Sequence, residues 1–396
     1  MFAKLSKFSL NLINYIDFDR ELFAESTSSV LITVLGMIFT THIFKIALLN
    51  KKISLLPFIF QSSSILNLKN NLELSFAMYM TCVKSSQFTG SYKRFLFFNS
   101  CLVIVKSFLV GSFIGIVGIF VLYFSKQSKT SMALNIIYTS VLSCFFSTVV
   151  FVITLLLILK IIETLNINCE NFVMPILSAF NDIFVAKILV FVTLGSFNYP
   201  SCQLLFILFL IFCLTSVCLF FMLRFQGYKI PSQSLKLIIF VFTVNSVIGV
   251  IMERLFAKFP SINPLYHVFS TISGSITYIF AHKINNIIKI DQIFDKSVNV
   301  TLSFSAAICF LIYIIANYVS GLGFTLAFLI VLAIALTFQV FALNYIIEHI
   351  VLTLEVDNVL FSSTLLPLIV TCSDLLSLLS LIVVLYITLL FSNAIF

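Results

Sequence analysis

Long apolar segments separated by short polar ones make up most of this chain. A helix that crosses the hydrocarbon core of a bilayer needs about 20 mainly apolar residues. Eleven segments meet that requirement, and the pattern predicts an all-α polytopic membrane protein that follows a short cytosolic segment at residues 1–28. Their predicted bounds are 29–49, 57–80, 101–124, 133–161, 173–197, 203–223, 236–256, 264–284, 300–318, 323–352 and 365–391.

Two of these segments, 57–80 and 264–284, are more polar than the rest. Each contains several serines, and in addition 57–80 carries Lys69 and Glu73 and 264–284 carries Lys283. Polar side chains are expensive in lipid and normally face a protein interior or a water-filled path. We therefore expect the second and eighth spans to lie inside the helix bundle.

Composition agrees with a membrane protein. Of the 396 residues 61% are hydrophobic and only 10% are charged, which excludes an ordinary soluble domain. The net charge of +8 is spread over short loops without a basic block, so we expect no nucleic-acid partner. With residues 1–28 in the cytosol, thirteen basic residues fall inside and six outside, which favours a cytosolic N-terminus and an external C-terminus.

A proline precedes an aspartate by seven residues in both the fifth and the eleventh predicted spans. The pairs are Pro175 with Asp182 and Pro367 with Asp374. Seven residues make about two helical turns, so each pair lies on one helix face. The two aspartates are 192 residues apart, which is close to half the chain, as an internal duplication requires.

This spacing predicts two five-helix repeats joined by one linker helix. A single intervening helix gives both repeats the same orientation, so we expect them to be parallel and related by an axis along the membrane normal. The predicted units are a first repeat at 29–197, a linker at 203–223 and a second repeat at 236–391.

The candidate chemistry is carried by three acidic residues well inside predicted spans: Glu73, Asp182 and Asp374. A carboxylate at that depth requires a partner, water or a cation. One interpretation is structural pairing with an intramembrane lysine, and the other is a cation pathway, which the duplication favours. The lysines available for pairing are Lys69, Lys106 and Lys187.

Other chemistry finds little support in the sequence. There is no phosphate-binding glycine loop, no nucleophile with an identifiable base and no His/Cys metal-ligand spacing, so we predict neither an enzyme nor a bound cofactor. The nine cysteines show no CxxC pairing, and we interpret them as small core residues. Oxygen ligands without thiol or imidazole suit a hard cation such as Mg²⁺ or Ca²⁺.

Two stretches of the first half resemble a known family. Leu68-Lys-Asn-Asn-Leu-Glu-Leu74 is similar to a Leu-Lys-Gly-Asn-Leu-Glu-Met motif, and Glu170-Asn171, Pro175 and Asp182 follow the spacing of a Pro-Asp-Asn motif with its later Pro and Asp. These motifs belong to solute carrier family 41, the eukaryotic relatives of the MgtE magnesium channels. The chain resembles a divergent member of that family.

The second half keeps the spacing of the family motifs with less identity. Gln339, Glu348, Pro367 and Asp374 fall at the expected intervals, whereas the second-half counterpart of the Gly-Asn pair is Gly274-Ser275. The resemblance covers roughly residues 29–391. It implies a fold of two parallel repeats that functions as a single chain, without the cytosolic regulatory domain of the bacterial relatives.

The resemblance also implies a function. Asp182 and Asp374 would line a pore between the repeats and bind a hydrated divalent cation, with Mg²⁺ as the transported ion, and the plasma membrane is the expected location. Glu73, Asn71 and Asn171 would lie nearby. Two alternatives stay open at this point: a seven-span membrane chemoreceptor in which the carboxylates pair with lysines, and a secondary carrier for another solute in which Glu73 handles protons.

Overall fold

The computed structural model describes residues 20–67, 73, 76–77, 92–124, 130–165, 169–224, 232–259, 262–289, 297–319, 326–354 and 365–391. Apart from a 3₁₀ turn at Ile53–Leu55 and a π-helical residue at Leu365, the regular structure in these ranges is α-helical. The helices are α1 (Arg20–Leu48), α2 (58–67), α3 (Tyr92–Phe124), α4 (Thr130–Leu165), α5 (Cys169–Ser196), α6 (Ser201–Arg224), α7 (Ser232–Lys258), α8 (Ile262–Lys289), α9 (Ser297–Val319), α10 (Leu326–Leu354) and α11 (Leu366–Phe391).

Within the described ranges, nine helices are long and apolar enough to cross a membrane. The chain is therefore an all-α, multi-pass integral membrane protein, as the sequence predicts. Helix α8 is long enough to span but is too polar to be counted with those nine, and it corresponds to the polar span expected at 264–284.

Helix α2 lies at the centre of the bundle. Its four polar residues 61–64 are each no more than 1% exposed. The Gln61 side-chain amide donates hydrogen bonds to the hydroxyls of Thr139 and Ser140 on α4, at 3.1 and 3.0 Å, and Ser63 Oγ lies 3.4 Å from His267 Nε2 on α8. Neighbouring helices thus provide partners for the Gln61 amide and Ser63, and Ser62 donates to the Ile59 carbonyl of its own helix.

Helix α8 is the second central helix. It packs against α1, α7, α9, α10 and α11, and its Tyr266 and His267 contact α2. All six residues from 265 to 270 are buried, as are 276–281. The expectation that both polar spans lie inside the bundle is confirmed for α8 and for the described part of α2.

Helix α6 lies at the periphery, against α3 and α4. Its outer face exposes large apolar side chains, including Phe206 and Phe209, which are 65% and 63% exposed. An apolar helix that is exposed on most of its surface fits contact with lipid. The prediction that the cysteines are core residues is only partly correct, because Cys202 and Cys213 of this helix are exposed, as is Cys372.

The helix pairs follow a regular pattern. Helix α1 packs against α5, α8 and α9, whereas α7 packs against α11, α8 and α3 and also touches α2. Helix α3 packs on α4 and α4 on α5, just as α9 packs on α10 and α10 on α11. Of the two helices that carry the buried aspartates, α5 thus packs on α1 and α4, and α11 packs on α7, α8 and α10.

Gly36 provides a test of this packing. A Cβ added there would lie 2.7 Å from Ala179 Cβ and 2.9 Å from Ala179 Cα on α5, and neither atom can rotate away. We expect Gly36→Ala to destabilise the protein by about 1–3 kcal/mol, the usual effect of overpacking. The midpoint of thermal unfolding in detergent should fall.

Gly274→Ala is the matched control, because a Cβ at Gly274 meets no atom within 4 Å. Alanine also has the higher helix propensity, so this variant should melt at or above the wild-type temperature. Equal melting of the two glycine variants would contradict the close contact between α1 and α5.

Candidate functional site

Glu73 is the centre of a buried polar cluster that joins α3, α4 and α5. Its side chain is 1% exposed. The Asn181 side-chain amide on α5 donates a hydrogen bond to Glu73 Oε2, and the Thr148 hydroxyl on α4 lies 3.3 Å from Glu73 Oε1. Thr148 Oγ1 is also 2.7 Å from Ser107 Oγ of α3, which donates to the Cys144 carbonyl oxygen. Amide and hydroxyl groups therefore position this carboxylate.

Asp182 follows Asn181 directly on α5 and is 1% exposed. The Asn181–Glu73 hydrogen bond thus links the residue next to Asp182 to the central helix segment that carries Glu73. Ala179, three residues earlier, lies against Gly36 of α1. These contacts fix the part of α5 that bears Asp182 from two sides.

A second polar cluster joins α8, α10 and α11. Ser273 Oγ of α8 lies 2.9 Å from Ser373 Oγ of α11, the residue directly before Asp374. The Gln339 amide of α10 donates to Ser273 Oγ at 2.9 Å and to Ser377 Oγ at 2.8 Å. Its carbonyl oxygen accepts a hydrogen bond from Ser380 at 2.9 Å. The side chains described above for this cluster, Ser273, Ser373, Gln339, Ser377 and Ser380, are all uncharged.

Asp374 is 5% exposed and accepts a hydrogen bond from Ser270 of α8. Tyr266, one turn before Ser270 on the same face, interacts with Ser270 and feels the charge of Asp374. The Asn67 amide of α2 donates to the Tyr266 hydroxyl at 3.3 Å. Polar contacts therefore lead from α2, across α8, to the carboxylate on α11.

One face of α8 is partly exposed although the helix is surrounded by others. Thr271, Gly274 and Ser275 lie on this face at helical spacing, and each has intermediate exposure. A Cβ at Gly274 would meet nothing within 4 Å, so this glycine is not a close-packing residue. Small polar residues beside open space inside a bundle can line a path for water.

The structure brings Glu73 close to the Asp182 region and describes Asp374 as well, but it describes Asn71 and Asn171 less fully. Asn71 lies outside the described residues. Asn171 belongs to α5, but its side chain lies outside the part of the chain that the structure describes.

The predicted lysine partners differ in position. Lys187 is exposed on α5, whereas Asp182 on the same helix is buried, so the two side chains occupy different environments. Lys106 is half-buried on α3, and Lys69 lies outside the described residues. The partners described above for Glu73 and Asp374 are hydroxyl and amide groups rather than lysines.

In the described part of the chain, no three side chains of His, Cys, Asp or Glu come together.

Several residues of these clusters were not predicted from the sequence, notably Thr148, Ser107 and Ser270. A lone threonine or serine in a membrane helix often bonds only to its own backbone, so Thr148 and Ser107 carry no distinguishing signal. Ser270 could have been found, because it lies three residues before Ser273 and seven before Thr277, on one helix face.

Comparison of the chain with protein-family models, with curated proteins and with solved structures finds no match.

Proposed function

We propose that this protein transports divalent cations across a membrane, with Mg²⁺ as the preferred ion. The ion would pass between two parallel five-helix halves, α1–α5 and α7–α11, which α6 connects. Asp182 and Asp374 would hold it through its hydration shell. This is the function expected of a divergent relative of solute carrier family 41, with one chain sufficient for transport and the plasma membrane as its location.

The helix contacts support the two-repeat arrangement. When each helix of the first half is matched to the helix six places later, the packing pairs correspond: α1–α5 with α7–α11, α3–α4 with α9–α10, and α4–α5 with α10–α11. Contacts between the halves correspond as well, since α1 packs on α8 and α7 touches α2. A rotation about an axis along the membrane normal would exchange such pairs.

The observation that carries the proposal is the agreement between the two polar clusters. In each half, the residue directly before the buried aspartate bonds to a central polar helix: Asn181 to Glu73 in the first, and Ser373 to Ser273 in the second. A third helix contributes Thr148 in one case and Gln339 in the other. Buried carboxylates held at equivalent positions favour a shared ion-binding role over two unrelated structural ones.

A path for the ion is supported by the partly exposed face of α8. Thr271, Gly274 and Ser275 offer small hydroxyl and backbone groups beside open space, on the helix whose Ser270 bonds Asp374. Neutral oxygen groups bind the waters of a hydrated cation without holding the ion too tightly to release it.

The number of spans disfavours the chemoreceptor alternative. Nine apolar helices in the described ranges already exceed the seven spans of that class. A reporter fused after Phe396 should be external if all eleven helices cross the membrane and residues 1–28 are cytosolic. A cytosolic reporter would contradict this topology.

Uptake of Mg²⁺ by purified protein tests the function directly. Vesicles that contain the protein and an internal Mg²⁺-sensitive dye should show faster influx than protein-free vesicles, and the chain should restore growth of a host that lacks Mg²⁺ uptake. Influx at the protein-free rate, with correctly folded protein in the bilayer, would contradict the proposal. Imposed Na⁺ or H⁺ gradients in the same vesicles distinguish a passive pathway from coupled exchange.

A further inference from the structure

Asn245 of α7 is a buried amide without a hydrogen-bond partner. Its side chain is 0% exposed, and neither Nδ2 nor Oδ1 has a partner in the part of the chain that the structure describes. An amide left unpaired in a protein interior is expensive, and most such groups bind another polar group or an ordered water. A second group, Ser64 of α2, is also 0% exposed with its hydroxyl unpaired.

These two residues belong to the same contact between α2 and α7. The Glu253 carboxylate accepts a hydrogen bond from the Phe60 backbone N–H at 2.7 Å, near the beginning of α2. One turn earlier on α7, a Cβ at Gly249 would lie 2.6 Å from Ser64 Oγ. From Glu253 to Gly249 the residue numbers of α7 decrease, whereas from Phe60 to Ser64 those of α2 increase. The two helices are therefore antiparallel here. Asn245, one further turn back, therefore lies at the level of Asn67.

Asn67 connects this contact to the proposed ion site. Its amide donates to Tyr266, which contacts Ser270, and Ser270 donates to Asp374. The α2–α7 contact is also one between the two proposed halves. The unpaired groups thus lie in the same helix contact as Asn67, from which a polar series leads to the second-half carboxylate.

We propose that Asn245 and Ser64 form a hydration site that holds water around the transported cation on its way to Asp374. This inference rests on the proposed function. The amide supplies one acceptor and two donors, and the hydroxyl supplies both kinds of group, which suits water better than a bare ion. A neutral site before the charged one stabilises the hydrated ion without trapping it.

The test compares Mg²⁺ influx and thermal stability in Asn245→Leu. Leucine has a similar volume and removes the unpaired amide, so the variant should melt at or above the wild-type temperature. Influx into dye-loaded vesicles should fall about tenfold, because the loss of one hydrogen-bonding side chain raises the free-energy barrier to transport by a corresponding amount. Unchanged influx together with higher stability would overturn the hydration site, because the amide would then be merely tolerated.

Thr301→Val is the matched control. Thr301 on α9 is also 0% exposed with an unpaired hydroxyl, but it belongs to a different helix contact. Its replacement should leave Mg²⁺ influx unchanged. An equal loss in both variants would show a general packing effect and overturn the assignment.

Ser64→Ala keeps the test decisive if Asn245→Leu does not fold. This small change removes only a hydroxyl, and we expect a fall in influx of about threefold. Wild-type influx in this variant would count against the site. If the wild-type protein carries no Mg²⁺, the proposed function and this inference both fail. If it does carry Mg²⁺ and the variants match it, only the hydration site fails.

Discussion

Replacing Asp182 and Asp374 together by asparagine should reduce Mg²⁺ influx to the rate of protein-free vesicles. Asparagine keeps the shape of aspartate, and at position 374 its carbonyl oxygen still accepts the hydrogen bond from Ser270. The helix packing should therefore survive while both negative charges are lost. A doubly charged ion has little affinity for a neutral site within a low-dielectric bundle, so transport should stop.

Lys187→Met is the control that separates this effect from lost ion pairing. Lys187 is exposed on α5, the helix that carries Asp182. If the aspartates were structural partners of lysines, this change would damage the protein as much as the aspartate changes do. We expect wild-type influx and stability instead. Full transport by the double asparagine variant, measured at equal protein incorporation, would eliminate the two aspartates as the ion site.

The fold was largely predictable because a bilayer imposes simple rules on a sequence. A span must be long, helical and apolar, and each of the eleven predicted segments falls on one of α1–α11 where the structure describes them, although α1 and α3 each begin nine residues before the predicted span. Among the described helices, the one long helix that is too polar for a typical span follows the same rules. Helix α8 has too many hydroxyl and charged groups for a lipid-facing helix, and it lies at the centre of the bundle.

The site could be predicted only in part, because its contacts join residues that are far apart in the chain. Burial of Asp182 and Asp374 followed from their positions within apolar spans. The partner of Glu73 did not, since Asn181 lies 108 residues away and nothing local marks the pair. The Gln339–Ser273 contact, across 66 residues, likewise depends on how three helices are packed together.

The two clusters differ in charge, and that difference bears on how the ion is shared. In the first, the side chain that bonds to the residue before the aspartate is the Glu73 carboxylate, whereas in the second it is the neutral Ser273. A fixed negative charge close to Asp182 would increase the local attraction for a cation. We therefore expect the carboxylates of the first half to contribute more to cation binding than the second half does.

Glu73→Gln should weaken Mg²⁺ binding without unfolding the protein. The carbonyl oxygen of the new glutamine can accept the hydrogen bond from Asn181, and the glutamine amide can donate to the Thr148 hydroxyl. Thr148 can then donate its own proton to Ser107 Oγ, which lies 2.7 Å away. Only the charge is lost. We expect the half-saturating Mg²⁺ concentration for influx to rise about tenfold, or ~1.4 kcal/mol, with a smaller change in maximum rate.

Ser273→Ala provides the comparison, because Ser273 contacts the residue before Asp374 just as Glu73 contacts the residue before Asp182, and it carries no charge. Removing this hydroxyl changes no charge, so the half-saturating concentration should stay close to that of the wild type. Equal effects of the two variants would indicate that Glu73 only supports helix packing. A larger effect of Ser273→Ala would reverse the assignment, because the second half would then supply the stronger cation site.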